Sequence, residues 1–231
     1  MHAQGSKEYT PAMAKAVYDN MMTDSPKQNF SVGVNDDVTG RSLDIGPAYV
    51  VTDGEATTQC VFWGVGGDGT VGANQDAIHM IGEATGMQTQ AYFQYDSKKS
   101  LGVTRSHLRF GEDKITSQYL VLPEQADYVA CHHPSYIGKY DVLQYSKDGT
   151  AFVLNSPWTV EEMETKLPDT LKRSLAEKNM EFYNIDASAV AEAAGLPKRI
   201  NVVMQAAFFK LSEVIPVEEA LDLYSESIKT R

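Results

Sequence analysis

Residues 60–82 read Cys-Val-Phe-Trp-Gly-Val-Gly-Gly-Asp-Gly-Thr-Val-Gly-Ala-Asn-Gln-Asp-Ala-Ile-His-Met-Ile-Gly. The first four residues are apolar and β-prone, glycines crowd the middle, and Val71, Ile78 and Ile81 recur at helical spacing. The pattern predicts a strand, a tight glycine turn and a helix. Because glycine tolerates a positive φ and has no Cβ, such a turn lets an anion approach the N–H groups at the start of the helix. The stretch therefore indicates phosphate binding.

Two phosphate-binding motifs overlap in this turn, and each is incomplete. Gly64, Gly66 and Gly69 have the G-x-G-x-x-G spacing of dinucleotide-binding folds. The nearest strand-end acid, Asp96, lies about seven residues beyond the position that would hold the ribose. Residues 67–69, Gly-Asp-Gly, resemble the start of the magnesium and diphosphate motif of thiamine-dependent enzymes, but its later asparagine pair is missing. A third interpretation is that the glycines only let the strand pack closely on its helix.

The composition is that of an acidic globular protein. The 231 residues carry a formal net charge of −11 and are 42% hydrophobic, which is sufficient for one large α/β domain. Nucleic acids and anionic membranes bind clustered positive charge, so neither is expected as a partner. Since no targeting segment and no apolar run of about 18 residues is seen, the sequence predicts a cytoplasmic protein.

Residues that commonly bind metals are few and poorly placed for it. Cys60 and Cys131 lie in separate apolar runs and are too few to hold an iron–sulfur cluster. His132 and His133 are adjacent, so their side chains point apart, and no third ligand follows at helical spacing. We predict no metal site in this chain and two buried cysteines.

Strands and helices alternate along the rest of the chain. Strands are predicted over residues 88–95, 102–110, 119–122, 128–131, 150–155 and 182–185. Helices are predicted from Thr10 and Pro11 onward and over residues 135–145, 161–178 with a break at Pro168, 187–194 with Asp186 as cap, 201–211 and 217–228. The alternation predicts a Rossmann-like α/β fold, an open and mostly parallel sheet with helices on both faces. Residues 1–50 are predicted to be an N-terminal docking arm, and residues 51–231 the α/β domain.

Basic residues mark two parts of the predicted sheet. Arg105, His107 and Arg109 share one face of the strand over residues 102–110, which predicts either an exposed edge strand or an anion site or subunit contact. Lys98 and Lys99 follow the strand over residues 88–95 and are interpreted either as a pyrophosphate site or as a solvated loop. The carboxyl ends of parallel strands meet at one edge of a sheet, called the rim here. We expect the rim to comprise loops 66–74, 96–100, 132–135 and 155–158.

Six segments together resemble one enzyme family. They are residues 67–74 (GDGTVGAN), 95–100 (YDSKKS), 106–111 (SHLRFG), 130–132 (ACH), 154–158 (LNSPW) and 208–211 (FFKL). In this order and spacing they are similar to the central, gamma-type domain of pyruvate:ferredoxin (flavodoxin) oxidoreductase, over about residues 8–228.

The resemblance implies a domain that works with others. The family decarboxylates pyruvate on thiamine diphosphate, passes electrons through [4Fe–4S] clusters to ferredoxin or flavodoxin, and delivers the acetyl group to coenzyme A. The resemblance implies that thiamine diphosphate, Mg²⁺ and the clusters lie on partner domains. It also implies that the isolated chain is inactive and has no catalytic residue. This domain would contribute a subunit interface and coenzyme A contacts. Carried over by position, those contacts are Lys98, Lys99, Gly69, Thr70, Asn74 and Arg199.

Three positions depart from the family pattern. Gln75 and His79 stand where the family usually has lysine, and Leu101 stands where it usually has glycine. Loss of a direct lysine–phosphate contact weakens binding by roughly 1–2 kcal/mol. Gln75 and Leu101 favour a second interpretation, a non-catalytic scaffold module of a redox complex. A third interpretation, an independent NAD-binding oxidoreductase with Asp96 on the ribose, also stays open.

Overall fold

The chain forms two compact units, residues 1–52 and 53–231. The computed structural model describes residues 9–34, 37–46, 49, 57–96, 101–116 and 120–229, and for residues 224–229 the backbone alone.

In its described part the N-terminal unit contains one helix, α1 (Pro11–Met21), and a small core. The Thr10 hydroxyl accepts the N–H of Met13 at 3.3 Å, so α1 begins at the predicted cap. The buried apolar side chains described in this unit are the small residues Ala12, Ala16 and Val32. The docking role assigned to residues 1–50 stays a prediction.

One sheet organises the C-terminal unit. Its described strands are β1 (Thr58–Val65), β2 (Gln88–Tyr95), β3 (Val103–Gly111), β4 (Ala126–Cys131), β5 (Ser146–Asn155) and β6 (Glu181–Ile185). Their spatial order is β2-β3-β1-β4-β5-β6. Parallel pairing joins β1, β4, β5 and β6, whereas β3 runs antiparallel to both β1 and β2. Among these strands β3 alone is reversed, which confirms the predicted open, mostly parallel sheet.

Helices cover both faces of the sheet, as predicted. One face packs against α2 (Thr70–Thr85), α5 (Ala187–Ala193), α6 (Ile200–Ser212) and α7 (Val217–Lys229). The other packs against α3 (Val160–Lys166), α4 (Asp169–Glu177) and the segment 136–145. Along β1 the side chains alternate between these two cores, with Phe62 in the first and Trp63 in the second. β1 is therefore a central strand buried on both faces. Among the described helices, none is both long and apolar enough to cross a membrane.

Two predicted elements are wrong or shortened. Residues 135–145 do not form a helix: a 3₁₀ turn (Pro134–Tyr136) ends at Ile137, whose φ of −61° and ψ of 123° are extended. The apolar residues beyond it pack on the sheet without helical periodicity. Residues 120–122 of the predicted strand 119–122 are not in a strand, and residue 119 lies outside the described residues.

β3 is not the exposed edge strand that its basic residues predicted. It lies between β1 and β2, and the side chains of His107 and Arg109 are 0% and 3% exposed. Acceptors on neighbouring elements make this burial possible. His107 Nε2 lies 2.8 Å from Gln94 Oε1, Arg109 donates to Gln90 Oε1 at 3.0 Å, and Arg105 donates to the Tyr145 hydroxyl at 2.9 Å.

Candidate functional site

The glycine turn joins β1 to α2 at the rim. Gly69 is the N-cap residue of α2, with a φ of 84° that favours glycine. Asp68 closes the turn, because its carboxylate accepts the N–H of Val65 at 2.7 Å and the N–H of Thr70 at 2.8 Å. The first backbone donor of α2, the Thr70 N–H, is thus bonded to a carboxylate of the chain itself and not left open to a phosphate.

Gly64 lets α2 lie directly on the sheet. A Cβ placed on Gly64 would be 2.8 Å from Cβ of Thr70 and 2.9 Å from the Thr104 hydroxyl oxygen. Both distances are far below ordinary contact, so only glycine fits without displacing the helix. The interpretation of close strand–helix packing is therefore correct at Gly64.

His132, at the end of β4, holds the start of α2. Its Nδ1 lies 2.8 Å from the Thr70 hydroxyl oxygen, and its backbone N–H donates to the carbonyl of Trp63 at 2.9 Å. The imidazole is 3% exposed, and its Nε2 has no hydrogen-bond partner among the described residues. Burial lowers the pKa of His132 to about 4, although the Asp68 carboxylate acts in the opposite direction. His132 is therefore neutral at pH 7.

Asn155 continues the connection along the rim. Its Nδ2 donates to the carbonyl of His132 at 2.9 Å, and its Oδ1 accepts the N–H of Ala187, the first residue of α5, at 3.0 Å. The neighbouring Ser156 hydroxyl donates to Asn184 Oδ1 at 2.6 Å. Side-chain hydrogen bonds thus connect the ends of β4, β5 and β6. As predicted, the described parts of loops 66–74, 132–135 and 155–158 meet.

The start of α6 lies beside the start of α2. A Cβ placed on Gly69 would be 3.0 Å from Asn201 Nδ2. Four residues further along both helices, Gln205 donates from Nε2 to the carbonyl of Ala73 at 2.8 Å. Because the second contact lies four residues after the first on both helices, the two helices run parallel and start together. The N-cap residues Gly69 and Arg199 make no side-chain cap, and at the start of α2 the Asp68 carboxylate bonds only the first N–H, that of Thr70. The positive dipole ends of the two helices therefore lie at one place on the rim.

The predicted coenzyme A contacts differ in their exposure to solvent. Gly69 is exposed at the start of α2, and Arg199 is exposed as the N-cap residue of the adjacent α6. Thr70 and Asn74 are 0% and 4% exposed, so they support the turn rather than form an open surface. Residues 98 and 99, the two predicted lysines, lie outside the described residues. The coenzyme A contacts stay predictions.

The two incomplete motifs fit this geometry poorly. β3 lies between β1 and β2, so Asp96 ends a strand about 10 Å from β1, whereas a dinucleotide fold has its acid on the strand beside the glycine turn. Both oxygens of Asp68 accept hydrogen bonds from the turn, which gives this residue a structural role in place of magnesium binding. In the described part of the chain, no three His, Cys, Asp or Glu residues are grouped to hold a metal.

Sequence comparison identifies the family. The profile of the family described as pyruvate ferredoxin/flavodoxin oxidoreductase matches residues 59–231. The chain belongs to this family. The predicted resemblance is confirmed.

Relatives of the pyruvate ferredoxin/flavodoxin oxidoreductase family match almost the whole chain. Pyruvate:ferredoxin oxidoreductase of Moorella thermoacetica is 53% identical over 97% of this chain and 19% of that protein. Pyruvate dehydrogenase [NADP(+)] of Euglena gracilis is 51% identical over 97% of this chain and 12% of that protein. Pyruvate-flavodoxin oxidoreductase of Enterobacter agglomerans is 45% identical over 99% and 19%. The chain thus spans less than a fifth of the length of these relatives.

Solved structures share the fold. Pyruvate oxidoreductase subunit PORC of Thermotoga maritima matches with a TM-score of 0.58 at 16% identity, over 77% of this chain and 86% of that one. The gamma subunit of a keto/oxoacid ferredoxin oxidoreductase from Geobacter sulfurreducens matches with a TM-score of 0.53 at 19% identity, over 72% and 84%. A 2-oxoglutarate:ferredoxin oxidoreductase of Magnetococcus marinus, solved with 2-oxoglutarate, coenzyme A and succinyl-CoA bound, matches with a TM-score of 0.58 at 18% identity, over 77% and 28%. The shared fold agrees with the predicted gamma-type domain.

Sequence reasoning missed residues that shape the rim. Asp68 precedes Thr70 by two positions, a spacing typical of an aspartate that closes a turn, so a local signal existed. The roles of His132 and Gln205 had no such signal, because their partners lie 62 and 132 residues away.

Proposed function

We propose that this chain is a domain of a pyruvate:ferredoxin or pyruvate:flavodoxin oxidoreductase of the cytoplasm. The identity of 53% with the Moorella thermoacetica enzyme, across 97% of the chain, is the observation that supports this most strongly. Because the chain spans 19% of that relative, the proposed activity belongs to the complete enzyme. Thiamine diphosphate, Mg²⁺ and the iron–sulfur clusters are proposed to lie on its other domains.

Coenzyme A contacts are the proposed contribution of this domain. When bound, coenzyme A supplies the thiol that accepts the acyl group. Its phosphates suit the paired starts of α2 and α6, where Gly69 and Arg199 are exposed. Since Asp68 already bonds the N–H groups of Val65 and Thr70, we assign the phosphate to the Arg199 side of the pair rather than to the interior of the turn.

We further infer that the electron acceptor is chosen outside this domain. Relatives named for ferredoxin, flavodoxin and NADP(+) contain a region 45–53% identical to this chain. Because this region is similar in enzymes named for three different acceptors, we assign it to a step of the reaction that these enzymes share and not to the choice of acceptor.

Steady-state kinetics of the complete enzyme with varied coenzyme A test this proposal. Arg199→Ala, and Lys98→Ala combined with Lys99→Ala, should each raise the KM for coenzyme A by about tenfold, because a charge-assisted hydrogen bond contributes roughly 1.5–3 kcal/mol. Lys210→Ala removes a similar exposed charge near the other end of α6 and is the control. An unchanged KM in both variants would favour the scaffold interpretation. A wild-type enzyme that cannot reduce ferredoxin or flavodoxin with pyruvate would refute the proposed function.

A further inference from the structure

Among the described strands β2 lies at an edge of the sheet, and its own sequence lacks the usual protection of an edge strand. Among the described strands of its unit it pairs with β3 alone. Its eight residues, Gln-Thr-Gln-Ala-Tyr-Phe-Gln-Tyr, include no charged residue and no proline. Proteins ordinarily protect a sheet edge with charges, proline, a bulge or a short strand. The opposite edge follows this practice, since β6 has five residues and includes Glu181.

The hydrogen bonds to β3 show which residues of β2 face outward. Just beyond β2, the N–H of Asp96 donates to the carbonyl of Val103 at 3.0 Å, so the backbone of Asp96 points toward β3. The backbone N–H and C=O groups of successive residues in a strand point to opposite sides, so those of Gln94 and Tyr92 also point toward β3. The backbone groups that point away from the sheet belong to Thr89, Ala91, Phe93 and Tyr95. Within the described part of this unit, no strand bonds to them.

A groove of about 540 Å³ runs beside this open edge, between α2 and β2. Ile78 and His79 line its helix side, and Thr89, Ala91 and Phe93 line its strand side. The strand residues with outward backbone groups thus also contribute side chains to the groove. A strand added to β2 would pair with the backbone and place every second side chain in the groove.

We propose that the open edge of β2 binds an extended segment from another domain of the same polypeptide. This rests on the proposed function, in which the chain is one domain of a larger enzyme. In relatives that match 97% of the chain, four fifths or more of the length lies outside the matched region. A complete enzyme of this kind therefore has other segments that can bind the edge of β2. The described residues that line the groove include the apolar Ile78, Ala91 and Phe93, which suits inserted side chains that are apolar.

Hydrogen exchange of the complete enzyme, resolved to single amides, tests the proposal. The outward amides of Ala91 and Phe93 should be as protected as the inward amides of Tyr92 and Gln94, at least about 100-fold below the rate of a free amide. Rapid exchange at Ala91 and Phe93, together with protection at Tyr92 and Gln94, would overturn it. This measurement uses the wild-type enzyme and depends on no variant.

A proline variant separates strand pairing from simple coverage. Ala91→Pro removes an outward N–H and no hydrogen bond to β3, as edge strands tolerate. In this variant the amide of Phe93 should exchange at least about tenfold faster than in the wild type, because the added strand is lost. Ala91→Ser keeps the N–H and a small side chain and is the matched control. Equal exchange at Phe93 in both variants would count against an added strand.

Two further measurements identify the occupant and the enzyme. Protection of Ala91 and Phe93 should be the same at enzyme concentrations tenfold apart, whereas protection that grows with concentration would assign the edge to a second copy and overturn the proposal. Reduction of ferredoxin by pyruvate is assayed on the same sample. If the wild-type enzyme does not reduce ferredoxin with pyruvate, this result contradicts the proposed function, whatever the exchange pattern at β2.

Discussion

Thr70 on α2 and Thr104 on β3 lie where a side chain at position 64 would have to be, beside Gly64. Since a Cβ there would lie within 3 Å of both, Gly64→Ala should lower the free energy of unfolding by about 1–3 kcal/mol through overpacking. Gly72→Ala, an exposed helical position with no atom within 4 Å of the added Cβ, should instead raise it by up to about 1 kcal/mol. Urea denaturation of both variants checks the contrast, and equal effects would contradict the packing role of Gly64.

His107 shows how a basic face becomes part of a core. The N–H of Val121 donates to its Nδ1 at 3.2 Å, so Nδ1 is an acceptor and Nε2 carries the proton that is donated to Gln94 Oε1. Burial, assisted by the nearby charge of Arg105, lowers the pKa of His107 to about 3. The residue is a neutral connector between β2, β3 and the segment that contains Val121.

At the scale of elements, the parallel starts of α2 and α6 predict a coupled pair of mutations. Gly69→Ala should cost about 1–2 kcal/mol of unfolding free energy for its positive φ, and up to about 1 kcal/mol more because Asn201 lies 3.0 Å from the added Cβ. Gly86→Ala, at the other end of α2, has a φ of 71° and nothing within 4 Å, so it reports the backbone cost alone.

The double variant Gly69→Ala with Asn201→Ala tests the contact between the two helices. In a double-mutant cycle measured by denaturation, removal of the Asn201 side chain should relieve the excess cost of Gly69→Ala. Strict additivity of the two mutations would contradict contact between the helix starts.

At the scale of the whole molecule, two buried neutral histidines make stability depend on pH. In the unfolded chain histidine titrates near 6.5, whereas in the folded chain the pKa is about 4 for His132 and about 3 for His107. The stabilisation is therefore full above about pH 6.5 and falls on acidification, because the unfolded chain binds protons that the folded chain does not. From pH 7 to pH 5 each histidine should account for a loss of roughly 2 kcal/mol.

Denaturation at pH 7, 6 and 5 measures this dependence. His107→Gln and His132→Asn should each remove about half of the slope over this interval. His79→Gln, at an exposed position of α2, controls for the removal of one histidine. A free energy of unfolding that stays constant from pH 7 to pH 5 would contradict the buried neutral state of both residues.

Much of the local structure followed from short-range patterns. The strand predicted over residues 88–95 is β2, and Pro168 separates α3 from α4 as predicted. Asp186 caps α5, as predicted, by accepting the N–H of Ala189 at 3.0 Å. Six short segments, in order, identified the family. These features depend on residues a few positions apart, where periodicity and capping act.

The sequence by itself thus determined the strand–turn–helix unit at residues 60–82, the class of fold and the family. Tertiary structure alone decided that β3 lies between β1 and β2, that the basic face of β3 is buried, and that α2 and α6 start side by side. These arrangements depend on contacts such as Thr70 with His132 and Ala73 with Gln205, which join residues 62 and 132 positions apart. A local pattern sets which way a side chain faces along its own element, whereas the partner it meets depends on how distant elements pack.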